Sequence, residues 1–195
     1  MKDNGLLVQY FTANTTDSQD LWKKAAEDAA VLKKMGATAV WFPPATKGAQ
    51  GKEDMGYAPY DLYDLGEFDQ KGSVGTRYGT KDEYIAAIKA MKDQGINVYA
   101  DIAVRQKLGA DRIEKVTAAD FNTKDIPQMI GNKKTVGALS KFTFPGSKSK
   151  YPKFKWNWKH FAGIDWKQEE FKKRVCALEG KDYDEADKEY SKYDY

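Results

Sequence analysis

The sequence predicts an α/β protein in two parts: a strand–helix–strand–helix–strand unit built on a parallel sheet, then a β-rich segment from residue 105 onward. Three observations predict it. Apolar runs at 6–11, 38–42 and 96–104 alternate with helical patterns, the order that right-handed βαβ crossovers produce. The second and third runs are apolar on nearly every residue, as strands covered on both faces should be. Beyond residue 104 the apolar period shortens from that of a helix to that of a strand.

The elements follow in order. "LLVQYF" (6–11) mixes β-branched and aromatic residues and reads as a strand. After a turn-like "TANTTDSQD", residues 21–35 place Leu21, Ala25, Ala29, Leu32 and Met35 at helical spacing, with Gly36 behind them as a C-terminal stop. "TAVWF" (38–42) is the second strand, closed by Pro43 and Pro44, which cannot continue a ladder. A loop rich in Gly, Tyr and Asp leads to "TKDE" (80–83), a capping box with Thr80 as N-cap and Glu83 three residues on. The helix it opens ends at Gly95, and "INVYADIAV" (96–104) is the third strand. Farther on, "SKFTFPG" and "KFKWNWKHF" alternate at period 2, which would put Phe154, Trp156 and Trp158 on one face of a strand. At that spacing the aromatic stripe reads as core before it reads as a sugar platform. "QEEFKKRVCALEG" is a short helix or an extended segment, and the tail is charged and irregular.

Composition narrows the classes. The chain has 195 residues, 41% hydrophobic and 31% charged, enough for one core or for one domain with a large excursion. Its net charge of +3 is spread along the sequence without a basic block, so no nucleic-acid partner is expected. The single cysteine, Cys176, excludes an internal disulfide. No apolar run approaches the roughly 20 residues of a membrane span, and "MKDNGLLVQYF" is too short and polar for a leader. A soluble, cytoplasmic protein with no membrane contact is the expectation. Aromatics reach 13%, a level shared by sugar-binding surfaces and by packed cores. "GSVGTRYGT" lacks the lysine and spacing of a phosphate loop and reads as a turn. His160, the one histidine, has no partner for a zinc set and reads as structural.

The blocks "VQYF", "TAVWFPPATKG", "GYAPYDLYDLGEFDQKGSVGTRYGTKDE", "GINVYADI", "KFTFPG", "KFKWNWKHF" and "YDY" resemble, in order and spacing, the bacterial α-amylases of the liquefying and cytoplasmic type within glycoside hydrolase family 13. The resemblance covers almost the whole chain. It implies a partial TIM-type (β/α) barrel, strands one to three with two helices over residues 1–104, and a domain B excursion over 105–195. Such enzymes cleave α-1,4-glucans with retention, using two carboxyl groups about 5 Å apart and a third that assists. The resemblance places all three on strands four, five and seven, so it carries no catalytic carboxylate onto this sequence. A complete barrel needs about 250 residues.

The resemblance also assigns binding positions. Tyr57 matches a tyrosine that stacks under the sugar, Asp101 a family aspartate in the third strand, and Gln9 a strand end on the substrate side. Where the family has Asn-His after that strand, this chain has Arg105 and Gln106. The asparagine binds a structural calcium and the histidine binds the sugar. Arginine has no acceptor and cannot ligate a metal, while Gln106 can still hydrogen-bond a hydroxyl. Arg105 either replaces the charge of the calcium or points into solvent. Two further metal positions map to Asp184 and Asp194, and a third is Ala162. Calcium takes about six to eight oxygens, so no cofactor is expected and calcium is the one metal implied. The acid and aromatic usual after "QYF" are Thr12 and Ala13.

Three readings follow: a family member that does not hydrolyse glucans by itself, a part of an amylase active once the remaining barrel is supplied, or a module that binds a glucan or a protein. Three parallel strands would leave an uncovered face, so self-association or a partner chain is expected.

Overall fold

A computed structural model describes residues 5–12, 15, 18–122, 128–148, 150–151, 154–167 and 172–178. They divide into two compact units, one of residues 1–109 and 144–152, the other of residues 110–143 and 153–195. Among the described residues no helix is long and apolar enough to cross a membrane.

In the first unit, strand β1 (Leu7–Gln9), helix α1 (Leu21–Lys34), strand β2 (Ala39–Phe42), strand β3 (Lys47–Gly48), strand β4 (Pro59–Asp61), helix α2 (Lys81–Asp93) and strand β5 (Asn97–Ala100) follow in order. β1, β2 and β5 form a parallel sheet with β2 in the middle. β3 and β4 pair antiparallel as a separate small ribbon. The strand–helix–strand–helix–strand order expected from the sequence is thus present.

Both helices end in the same way. Gly36 takes φ +92° and Gly95 φ +68°, and in each case the next residue, Ala37 or Ile96, donates its N–H back to Leu32 or Met91. Glycine adopts that left-handed conformation at little cost, which lets the chain reverse and enter the following strand. At its start, α2 has the expected capping box: Glu83 N–H donates to Thr80 Oγ1, and the Thr80 N–H donates to Glu83 Oε2 at 2.8 Å.

Strand pairing sorts the sheet residues into two faces. Val8, Val40, Phe42 and Val98 point toward the helices and join a core with Trp22, Ala25, Ala29, Leu32, Tyr84, Ala87 and Met91. Trp22 is its hub, with ring centroids 4.7 Å from Tyr84, 5.3 Å from Phe42 and 5.5 Å from Tyr78. The helix stripe differs from the expected one at both ends, since Trp22 is buried whereas Met35 is 68% exposed. Met35 sits at the C-cap, already turning away from the stripe.

The other face carries Leu7, Gln9, Trp41, Asn97 and Tyr99. Leu7 is 55% exposed and Tyr99 60%. β5 is therefore covered on one face only, which corrects the reading of the third strand as buried on both. Among the described residues β5 is an edge strand of the sheet, paired with β2 alone. The strand also ends at Ala100, before the exposed Ile102 and Val104.

The second unit is a four-stranded sheet in the order β7-β6-β9-β8, made of β6 (Arg112–Asn122), β7 (Gln128–Lys141), β8 (Gly163–Lys167) and β9 (Lys172–Leu178). All its pairings are antiparallel. Val116, Ala118, Val136, Ala138, Cys176 and Leu178 form its core, with Trp158, Phe161 and Ile164 packed on the side. The expected β-rich character holds, and "RVCAL" is a strand. The period-2 reading of "KFKWNWKHF" does not hold: Trp158–His160 is a 3₁₀ turn. Asn157 Oδ1 accepts the Lys159 N–H at 3.0 Å and His160 Nδ1 accepts the Asn157 N–H at 3.0 Å. Those local bonds replace a strand ladder.

Candidate functional site

The candidate site lies at the C-terminal end of β5, the end on which parallel α/β sheets present their ligands. Its first part is the loop joining β3 to β4. Asp54 Oδ1 accepts the N–H of Gly56 at 2.8 Å and of Ala58 at 3.3 Å, folding the loop around its carboxylate. Gly56 takes φ +91°, and a Cβ there would lie 2.6 Å from Pro44 Cβ, so only glycine lets the loop pass the proline. Tyr78 Oη donates to Met55 O at 3.0 Å. The result is a fixed turn that presents Tyr57, 40% exposed, at its tip.

The second part is the chain leaving β5. Asp101 continues the parallel pairing, its N–H donating to Phe42 O at 3.1 Å. Tyr57 Oη donates to Asp101 Oδ2 at 2.7 Å. Burial, and next the Asp101 carboxylate, push the Tyr57 phenol well above its ordinary range, so it stays a donor. Gln106 Nε2 donates to Tyr57 O at 2.8 Å. Lys107 Nζ donates to Tyr60 O, and the Leu108 N–H to Pro59 O at 3.1 Å. Burial lowers the Lys107 ammonium to about 8, against the opposing pull of Asp61. Residues 106–108 are thus stitched along residues 57–60.

Of the residues singled out from the sequence, Tyr57, Asp101 and Gln106 come together through direct hydrogen bonds. Gln9 ends β1 on the open face, its Nε2 donating to Phe11 O at 3.0 Å. Arg105 is exposed at the bend after β5. Ala162, in the second unit, is exposed and precedes β8. Asp184 and Asp194 lie outside the described residues. For a calcium ion, the Arg105 guanidinium has no lone pair to offer and the Ala162 side chain no oxygen, and among the described residues no group of three or more His, Cys, Asp or Glu suited to a metal occurs.

The aromatic stripe has its own geometry. Phe154 meets Trp156 at 88° and His160 at 61°, and Trp156 meets His160 at 77°. Rings packed edge to face do not present one flat surface for a sugar, and the group reads as a packed cluster with an exposed rim.

Two buried charged residues of this unit went unread in the sequence. Asp54, which folds the Tyr57 loop, was announced by "EDMG", an acid two residues before a glycine. Lys47 has 0% exposure and gave no signal, because lysine is by default a surface residue.

No protein-family model matches the chain. It is 45% identical over 193 residues to an α-amylase of Bacillus licheniformis, covering 98% of this chain and 38% of that enzyme. It is 45% identical to an α-amylase of Geobacillus stearothermophilus over 98% of this chain and 35% of the relative. It is 41% identical to the cytoplasmic α-amylase of Escherichia coli over 83% of this chain and 33% of the relative. Among solved structures, alternansucrase in complex with isomaltotriose aligns with TM-score 0.55 and 21% identity, over 71% of this chain and 13% of that one, a likeness of fold. The chain thus spans little more than a third of the curated relatives it matches. It is a homologue of bacterial α-amylases, related to them over nearly all of its own length.

Proposed function

We propose that this stretch forms the first three strands of a (β/α) barrel with a domain B excursion, takes α-1,4-glucans as its ligand, and does not hydrolyse them by itself. The observation that carries the reading is the Tyr57–Asp101–Gln106 cluster at the C-terminal end of the third parallel strand. A half-exposed ring beside a carboxylate and an amide offers the stacking surface, acceptor and donor that a pyranose needs. In the amylase pattern the hydrolytic carboxylates belong to later strands, so binding without turnover is the expected behaviour of these residues alone. Gln106 in place of histidine keeps a hydrogen bond and removes a titrating group. Residence in the cytoplasm belongs to the proposal and is supported by the cytoplasmic relative.

The test is an assay of the purified chain on soluble starch and a chromogenic maltooligosaccharide, paired with titration of maltoheptaose. Binding at millimolar ligand without product is the expected result, and clear turnover would overturn it.

The open sheet face favours a second reading, in which the chain acts as one part of an amylase and a partner or a second copy covers Leu7, Trp41 and Tyr99. Turnover that appears only when strands four to eight are supplied would select this reading over the purely binding one.

A further inference from the structure

Lys47 is buried without exposed surface, yet its ammonium is surrounded by oxygen. Nζ lies 2.6 Å from Ser73 O, 2.6 Å from Val74 O, 3.1 Å from Phe68 O and 3.5 Å from Gly75 O. Asp64 Oδ2 is 3.6 Å away. Five oxygens exceed the three hydrogens an ammonium can donate, and four of them are main-chain carbonyls from one loop. A solitary buried ion pair would instead show one carboxylate facing one ammonium. This arrangement is the shell that a protein builds around a weakly hydrated monovalent cation.

The shell is fixed independently of the lysine. Asp64 Oδ1 accepts the N–H of Gly66 at 2.9 Å and of Glu67 at 2.8 Å, and Oδ2 accepts Gln70 Nε2 at 3.0 Å. Gln70 and Ser73 exchange both main-chain bonds at 3.2 Å, which turns the Ser73 region back toward Asp64. Ser73 Oγ donates to Gly75 O at 2.8 Å. Lys47 enters from β3, a separate ribbon, at the end of a fully buried stem.

We propose that the loop from Asp64 to Gly75 is a monovalent-cation site whose occupant is the chain's own Lys47 ammonium, and that the site takes a free ammonium-type or potassium ion once that side chain is removed. Burial lowers the affinity of Lys47 for its proton, and Asp64 opposes that change. The tethered ion joins the 64–75 loop to the base of the ribbon that carries Tyr57.

The experiment compares the full chain with Lys47→Ala and Lys47→Met in chloride salts at one ionic strength: propylammonium, ammonium, potassium, lithium and tetramethylammonium. Propylammonium replaces the atoms that the alanine variant lacks. Lys47→Ala should lower the thermal midpoint by roughly 6–15 °C. Propylammonium and potassium should restore at least half of that loss, and tetramethylammonium none. Lys47→Met, which fills the cavity with a thioether, should show no dependence on the cation. Equal midpoints of Lys47→Ala in all five salts would overturn the proposal, as would wild-type stability of Lys47→Met. If the alanine variant does not fold in any salt, the Lys47 ammonium in the unaltered chain decides by NMR. A slowly exchanging signal coupled to the Ser73 and Val74 carbonyls supports the site, and free exchange with water refutes it.

Discussion

The two faces of the same three strands are built on opposite terms. One face puts Val40 and Phe42 against Trp22 and Tyr84 under two helices, with Trp22, Val40 and Phe42 at 0% exposure. The other presents Leu7 and Tyr99 to solvent and half-covers Trp41 with the ring of Phe11, 5.3 Å away. Alternation along a strand makes each face a separate decision, so identical backbone pairing supports a core on one side and an exposed face on the other. The lesson is that an apolar strand does not by itself fix which of its faces is buried.

The contrast can be broken at its strongest point. Trp22→Ala should cost about 3–5 kcal/mol of unfolding free energy, because three aromatic rings lose their common contact, and chemical denaturation will measure it. A loss below 1 kcal/mol would mean the helices do not provide the stability assigned to that face. Thr80→Ala should cost about 1 kcal/mol by opening the cap of α2, and Thr80→Ser should recover most of it in the same experiment.

A pH titration tests the clasp at the head of α2. Glu67 accepts from Lys150, from Tyr151 Oη at 2.5 Å and from Lys81 Nζ at 2.9 Å, and these contacts, Lys150 first, hold its carboxyl down at about 2. A depressed acid stabilises the fold above its unfolded value near 4.5 and loses that contribution as pH falls from there toward 2. Glu67→Gln should therefore flatten the fall in stability across that window and leave its slope between pH 6 and 8 unchanged. An identical acid profile in the variant would remove Glu67 from the account.

The smallest stability effect belongs to the open face. Tyr99→Ser should change unfolding free energy by less than ~0.5 kcal/mol, as an exposed position does, while shifting self-association toward monomer in light scattering. A large stability loss with no change in mass would mean that the face is already covered within one chain.

Much of this was legible in advance. The helices announced themselves through period and caps, because Thr80, Glu83, Gly36 and Gly95 act locally and need no tertiary partner. Tyr57, Asp101 and Gln106 were found through resemblance, and their hydrogen bonding to one another adds what spacing could not. The turn at Trp158–His160 escaped because alternating aromatics resemble a strand. The Asn157 and His160 side chains that cap it were visible all the same. Lys47 was illegible for a deeper reason: its environment is made of carbonyls, and carbonyls carry no residue identity.

The same property shapes the segment after β5. Gln106 and Lys107 donate to the carbonyls of Tyr57 and Tyr60, and Leu108 to that of Pro59. The acceptors are main-chain atoms, so the seam asks nothing of the side chains at 59 and 60, which are held instead by their own burial. At 106 and 107 the side chains themselves are the donors. A library randomised at 106 and 107 should therefore report the hydrogen bonds of the seam, whereas one randomised at 59 and 60 should report side-chain packing.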